Sequence, residues 1–189
     1  MPSLIAIPRS KQRDEPWANG AGSTTVILRE PDSAEWRVRV SVARVDHPGP
    51  FSELPQTRRE LVPLDAAMTL RFPDGHALHA ARMHAVQFAG SPAPCGVLPE
   101  GPTRDFNLML RGDARGTAIA RTLAGSMLLP PEPGSRWLVY LDNGRATVSA
   151  TDAPVLDLAA GDAVLVIQLA GSHAHIEGAG EIVLVKLYA

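Results

Sequence analysis

Residues 35–45 read EWRVRVSVARV, eleven positions of almost unbroken alternation between apolar and polar side chains. Successive side chains of a strand point to opposite faces, so Trp36, Val38, Val40 and Val42 share one face and Arg37, Arg39, Ser41 and Ala43 the other. A surface helix instead needs apolar residues three and four apart, and no segment of the chain sustains that stripe. Further strand candidates fall at 24–28, 60–64, 68–72, 86–88, 106–110, 117–121, 126–129, 137–141, 146–150, 163–168 and 182–187. The 17 prolines and 16 glycines are spread between them as corners. Short strands with frequent turns predict an all-β sandwich or jelly roll.

Two stretches resemble each other. LVPLDA (61–66) and WLVYLDNG (137–144) each carry an aliphatic strand that ends in Leu-Asp before a turn. A chain of 189 residues holds one ordinary domain or two small ones, and the repeat favours a duplication. The polar stretch RGDARG (111–116) is the natural divide, giving expected units at 1–112 and 113–189.

Charge and composition exclude several function classes. A formal charge of -2 does not suit a surface that tracks nucleic-acid phosphates, which requires concentrated Lys and Arg. Cys95 is the only cysteine, so there is no internal disulfide and no multi-cysteine metal site. No apolar run approaches the ~20 residues that span a bilayer as a helix. A soluble, cytoplasmic protein with no nucleic-acid or membrane partner is the expectation.

Four ordered motifs carry a family resemblance: WANGAGST (17–24), RVSVA (39–43), GPFSELP (49–55) followed by Arg59, and DFNLM (105–109). With a looser LAAGDAVLV match at 158–166, the set resembles the HutD/Ves family of bicupin proteins. The resemblance implies two cupin-type double-stranded β-barrels with strands exchanged between them, the first holding a ligand site and the second structural. It also implies an association with histidine utilisation, through sensing or buffering an intermediate such as N-formylglutamate. This sequence departs from the family pattern at Ala21 and Gln56, where glycine is usual. It also departs at Arg58, which replaces an acidic residue, and at Val38, where Trp36 stands two positions earlier on the same strand face.

Metal-dependent cupins bind their metal through a His-x-His pair, a nearby Glu and a later His on neighbouring strands. Here Arg59 stands near the glutamate position, and Leu54 and Pro55 near the histidines; Trp137 and Pro133 occupy the corresponding places of the second repeat. The ligand set is missing, so neither a metal nor any other cofactor is expected. A guanidinium where a metal-binding carboxylate once sat inverts the charge of the barrel centre and suits an anion. Arg59 either pairs with Asp105 or grips a ligand carboxylate, and the two roles are compatible.

A ligand site of Arg59, Arg39, Ser41, Asn19, Asp105 and Asn107, lined also by Trp17, Phe51 and Met109, would fit a small dicarboxylate carrying an amide. Alternation alone does not say whether Arg39 faces the barrel or the solvent. NGAGSTT (19–25) resembles half a phosphate loop, but it lacks the Gly-Lys-Ser/Thr ending and leads into a strand, so no helix N-terminus waits for a phosphate. HAHIE (173–177) puts His173, His175 and Glu177 on one strand face, a two-histidine, one-carboxylate pattern set against a solvent-facing role. The competing class is a cupin hydrolase or isomerase acting on the same kind of acid, with Asp105 as the one proton carrier on offer. Sheet edges of such barrels also make a homodimer a partner to consider.

Overall fold

The computed structural model describes residues 3–17, 22–167 and 173–188, and nearly all of their regular secondary structure is β-strand. The early strands are β1 (Ser3–Ile7), β2 (Arg13–Pro16), β3 (Gly22–Glu30), β4 (Val38–Val45), β5 (Gly49–Pro50), β6 (Thr57–Pro63), β7 (Met68–Arg71) and β8 (Ala77–Ala80). There follow β9 (Val86–Ala89), β10 (Cys95–Val97), β11 (Thr103–Arg111), β12 (Arg115–Leu129), β13 (Ser135–Ala150), β14 (Leu156–Ala159), β15 (Ala163–Ile167) and β16 (Ala174–Tyr188). A 3-10 turn at Arg9–Lys11 is the one helical element among the described residues, and none is long and apolar enough to cross a membrane.

The chain forms two compact units. One is Arg13–Ala114; the other joins the segment up to Gln12 to Arg115–Ala189. The divide falls inside RGDARG, and the segment up to Gln12 groups with Arg115–Ala189 rather than with the residues that follow it. The reason is pairing: β1 runs antiparallel to β15, from Ser3 opposite Ile167 to Ile7 opposite Ala163. Gln12 Nε2 then donates to the carbonyls of Ile7 and Gly161, and the Arg9 amide to Asp162 Oδ1.

In the Arg13–Ala114 unit, a six-stranded sheet of order β2-β3-β4-β11-β6-β9 and a four-stranded sheet of order β5-β10-β7-β8 enclose a small apolar core. Val45 and Leu61 of the first sheet meet Met68, Leu70 and Ala80 of the second, with Phe51, Phe72 and Phe88 packed around them. The central strands are buried on both faces: Asp105 to Leu110 of β11 are all buried. That explains why DFNLML reads as a continuous run rather than an alternation.

The other unit is one sheet of order β1-β15-β13-β16-β12, with β14 on β13. Its core gathers Trp137, Val139 and Leu141 of β13, Val164 and Val166 of β15, and Ile176, Ile182 and Leu184 of β16. Sequence reading breaks the long strands in two at 121–126 and 141–146, because Gly125 and Asn143-Gly144 resemble corners. They are instead irregular points inside continuous strands, with the β13–β16 register slipping between Leu141 and Asn143. Gly144 (φ +88°) lies opposite Gly180 (φ +146°), and a Cβ on Gly144 would collide with the Ala179 carbonyl. Only glycine lets these two backbones approach so closely.

Candidate functional site

Three strands of the six-stranded sheet build the site. Met109 of β11 lies between Arg39 of β4 and Arg59 of β6; one pair further along, Asn107 lies between Ser41 and Leu61, and Asp105 between Ala43 and Pro63. Paired residues share a face, so register delivers all these side chains to one side of the sheet. Arg39, Ser41, Ala43 and Val45 line a cavity of about 450 Å³ together with Arg59, Asp105, Asn107 and Met109, which fixes the inward face of β4. Trp17, Thr24, the residues from His47 to Ser52, Phe51 included, and Leu54 complete the lining among the described residues.

Arg59 is 3% exposed. Its Nη2 donates to Asn107 Oδ1 at 2.8 Å, and Asn107 Nδ2 donates in turn to Asp105 Oδ1 at 2.9 Å. The expected pairing of Arg59 with Asp105 is therefore relayed through an amide rather than made directly. The guanidinium carbon stands 4.9 Å from the Phe51 ring centre and 5.1 Å from that of Phe88, so two aromatic rings hold the group in place. Phe88 is opposite Arg59 in the β6–β9 pairing, a neighbour that only the register reveals. Three buried polar atoms here have no hydrogen-bond partner: Arg59 Nε, Asp105 Oδ2 and Ser41 Oγ. Such atoms are rare in folded proteins and costly where they occur.

The titration of the cluster follows from its burial. Loss of water lowers Arg59 to about 10, against the favourable charge of Asp105 and with Arg39 adding to the depression. The same loss raises Asp105 to about 6, opposed by the Arg59 charge and the Asn107 donor. Arg39 is also lowered, first by burial, while Glu15 pulls the other way. Its Nη2 meets Glu15 Oε2 at 3.1 Å, and Glu15 Oε1 is shared with Arg29 at 3.3 Å.

Other expected participants fare differently. Trp17 Nε1 donates to Thr24 Oγ1 at 2.8 Å. Asn19 lies outside the described residues. His173, just before β16, and His175 and Glu177 on it are exposed, and none is among the residues that line the cavity. His47, Thr24 and Phe88 were not legible as site residues; His47 borders the GPFSELP motif, the one signal that pointed to it.

The HutD family profile matches residues 9–184. The chain belongs to the HutD family. It is 32% identical to Protein Ves of Cronobacter sakazakii (strain ATCC BAA-894) over 145 residues, 64% of this chain and 80% of that protein. Among solved structures, a conserved protein of unknown function from Pseudomonas aeruginosa PAO1 superposes with a TM-score of 0.86 at 24% identity, covering 98% of both chains. HutD from Pseudomonas fluorescens SBW25, solved in a formate condition, superposes at 0.79 with 22% identity, again over 98% of each. A cupin 2 conserved barrel domain protein from Leptotrichia buccalis, at 0.54 and 8% identity over 88% of each chain, extends the likeness of fold. The HutD chain is thus an all-β protein of cupin type.

Two departures from the HutD pattern acquire a physical meaning. Gln56, where the resemblance leads one to expect glycine, adopts φ +56°, the left-handed backbone that glycine enters without strain. Arg58 is exposed and outside the cavity lining, so its charge does not enter the site beside Arg59.

Proposed function

We propose that this HutD protein binds a small dicarboxylate in the cavity of the Arg13–Ala114 unit without transforming it. The occupant class is an intermediate of histidine catabolism such as N-formylglutamate, and occupancy serves to sense or buffer it in the cytoplasm. One observation carries the reading: the unpaired Nε of buried Arg59 and the unpaired hydroxyl of Ser41 belong to one cavity, which Arg39 also lines. A guanidinium held by two rings and one amide keeps its buried Nε–H free for a carboxylate oxygen, and a ligand oxygen would satisfy what the protein leaves unmet. The apolar wall of Trp17, Phe51 and Leu54 suits the methylene stem of such an acid.

Titration calorimetry with N-formylglutamate, glutarate and glutamate tests it. Binding is expected, and Arg59→Ala should weaken it by roughly 2 to 5 kcal/mol, the cost of removing one partner of a buried charge pair. Absence of binding to any of the three, or an affinity unchanged in Arg59→Ala, overturns the reading. A second reading, a hydrolase or isomerase, draws on the buried Asp105 carboxyl with its raised pKa of about 6. Turnover of the same acids, abolished in Asp105→Asn, would move the assignment there.

A further inference from the structure

Charge in the cavity is nearly balanced before any ligand arrives. The lining carries two guanidinium groups, Arg39 and Arg59, and one carboxyl group, Asp105. Arg39 already faces Glu15, which it shares with Arg29. A dicarboxylate brings two negative charges into a space where only Arg59 lacks a direct carboxylate partner. Ionised carboxylates crowded into a buried site repel, and the least solvated one takes a proton. Asp105 meets that description: it is 0% exposed, its Oδ1 is occupied by Asn107, and its Oδ2 has no partner.

We infer that a dicarboxylate enters this cavity together with one proton, which settles on Asp105 Oδ2 and turns that oxygen into a donor to the ligand. The inference rests on the anion-binding reading above and specifies how the same site recognises its occupant. The proton comes from solvent, and the only bond formed is the O–H of Asp105. Coupling arises through Arg59. In the empty site, the guanidinium opposes protonation of Asp105 across Asn107; a ligand carboxylate on Arg59 cancels that opposition. Burial already lifts Asp105 to about 6 with the guanidinium uncompensated, so the complex carries it higher. The other charged or titratable groups that line the cavity with Asp105 are Arg39 from β4 and His47 from the segment before β5; β4 also turns the Ala43 amide toward the Asp105 carboxyl, and β11 adds the neutral Asn107. A carboxyl that stays neutral in an apolar site and donates a hydrogen bond is established chemistry elsewhere.

The sign follows. Below about 6, Asp105 is protonated with or without ligand, and affinity is flat. Above it, binding must take up a proton, so affinity falls as pH rises, by at most roughly tenfold per pH unit.

The test is calorimetry on the full chain near neutral pH with N-formylglutamate, and with glutarate as a second probe, in phosphate and in Tris. The two buffers differ in ionisation enthalpy, so the difference in observed heat counts protons. Uptake approaching one proton per ligand is expected, falling to zero in Asp105→Asn, which keeps a donor and should bind with a flat pH profile. His47 also lines the cavity, so His47→Gln is free to alter affinity, but the proton uptake should persist because its acceptor is Asp105. Wild type that binds with no proton uptake and no pH dependence overturns the inference and leaves the anion-binding reading standing. Uptake lost in His47→Gln but kept in Asp105→Asn overturns it as well. No binding of either probe at pH 5.5 or pH 7.5 sinks both. A melting curve of each variant shows whether it is folded, and the wild-type proton count stands without them.

Discussion

The two units fill their inward positions with different kinds of side chain. In the Arg13–Ala114 unit, the strand that carries LVPLD presents Arg59, and its neighbour β11 presents Asp105, Asn107 and Met109. In the other, the strand that carries LVYLD presents Trp137, Val139 and Leu141, and its neighbour β16 presents Ile182 and Leu184. Period two fixes which positions point inward in both. What fills them decides whether the interior is a closed apolar core or a polar cavity of about 450 Å³. Trp137 packs the centre of its core and donates its indole N–H to the Pro130 carbonyl at 3.3 Å, leaving no unmet donor. Arg59 keeps its Nε–H unmet, so the first unit gives up stability where its cavity is polar.

Trp137→Ala should break that contrast most severely. Removing a buried indole empties the centre of the core and costs about 3 to 5 kcal/mol, read as a drop in the midpoint of urea unfolding. Affinity for N-formylglutamate should not change, because no Trp137 atom belongs to the cavity lining. A loss of affinity in a folded variant would show that the second unit is not purely structural.

A smaller effect sharpens the comparison from the other side. Asp105 holds its proton to about 6 in the folded chain but releases it near 3.8, its ordinary value, when unfolded. Between these limits the folded state binds the extra proton, so the stability that this group contributes is present at low pH and lost as pH climbs from about 4 to about 6, on the order of 3 kcal/mol in full. Asp32, Asp65 and Asp74 are shifted the opposite way by their partners and mask the trend in wild type. Unfolding measured at intervals over this range, wild type against Asp105→Asn, isolates it. A difference that does not vary with pH would mean that Asp105 is ionised throughout.

Much of this was legible before the fold was known, and the limits were physical. Alternation placed Arg39 with Ser41, and Asp105 with Asn107 and Met109, yet it cannot say which face is inward when both faces of a strand are buried. Register answered that, and it also supplied Phe88, which is 29 positions from Arg59 in the chain and directly opposite it in the sheet. The small strands β1, β2, β5, β8, β10 and β14 escaped notice because two to five residues are too few to show a period. Glycine misled at Gly125 and Gly144: a residue that permits a corner also permits a close crossing of strands, and sequence does not distinguish the two.

Arg39→Gln is the finest of the three probes. Arg39 is only partly screened from water, with 16% of its side chain exposed, and its charge is already directed at Glu15. Taking it away leaves Glu15 with Arg29, so the fold should be unharmed and ligand affinity should fall by about 1 kcal/mol, close to what a partly solvated pair contributes. Arg59→Ala should cost several times as much in the same titration. If the order reverses, recognition is centred on β4 and its ion pair with Glu15, and the contrast between Arg59 and Trp137 would then describe packing rather than function. If it holds, the depth of the guanidinium, more than the number of cations lining the cavity, sets how tightly this site grips an anion.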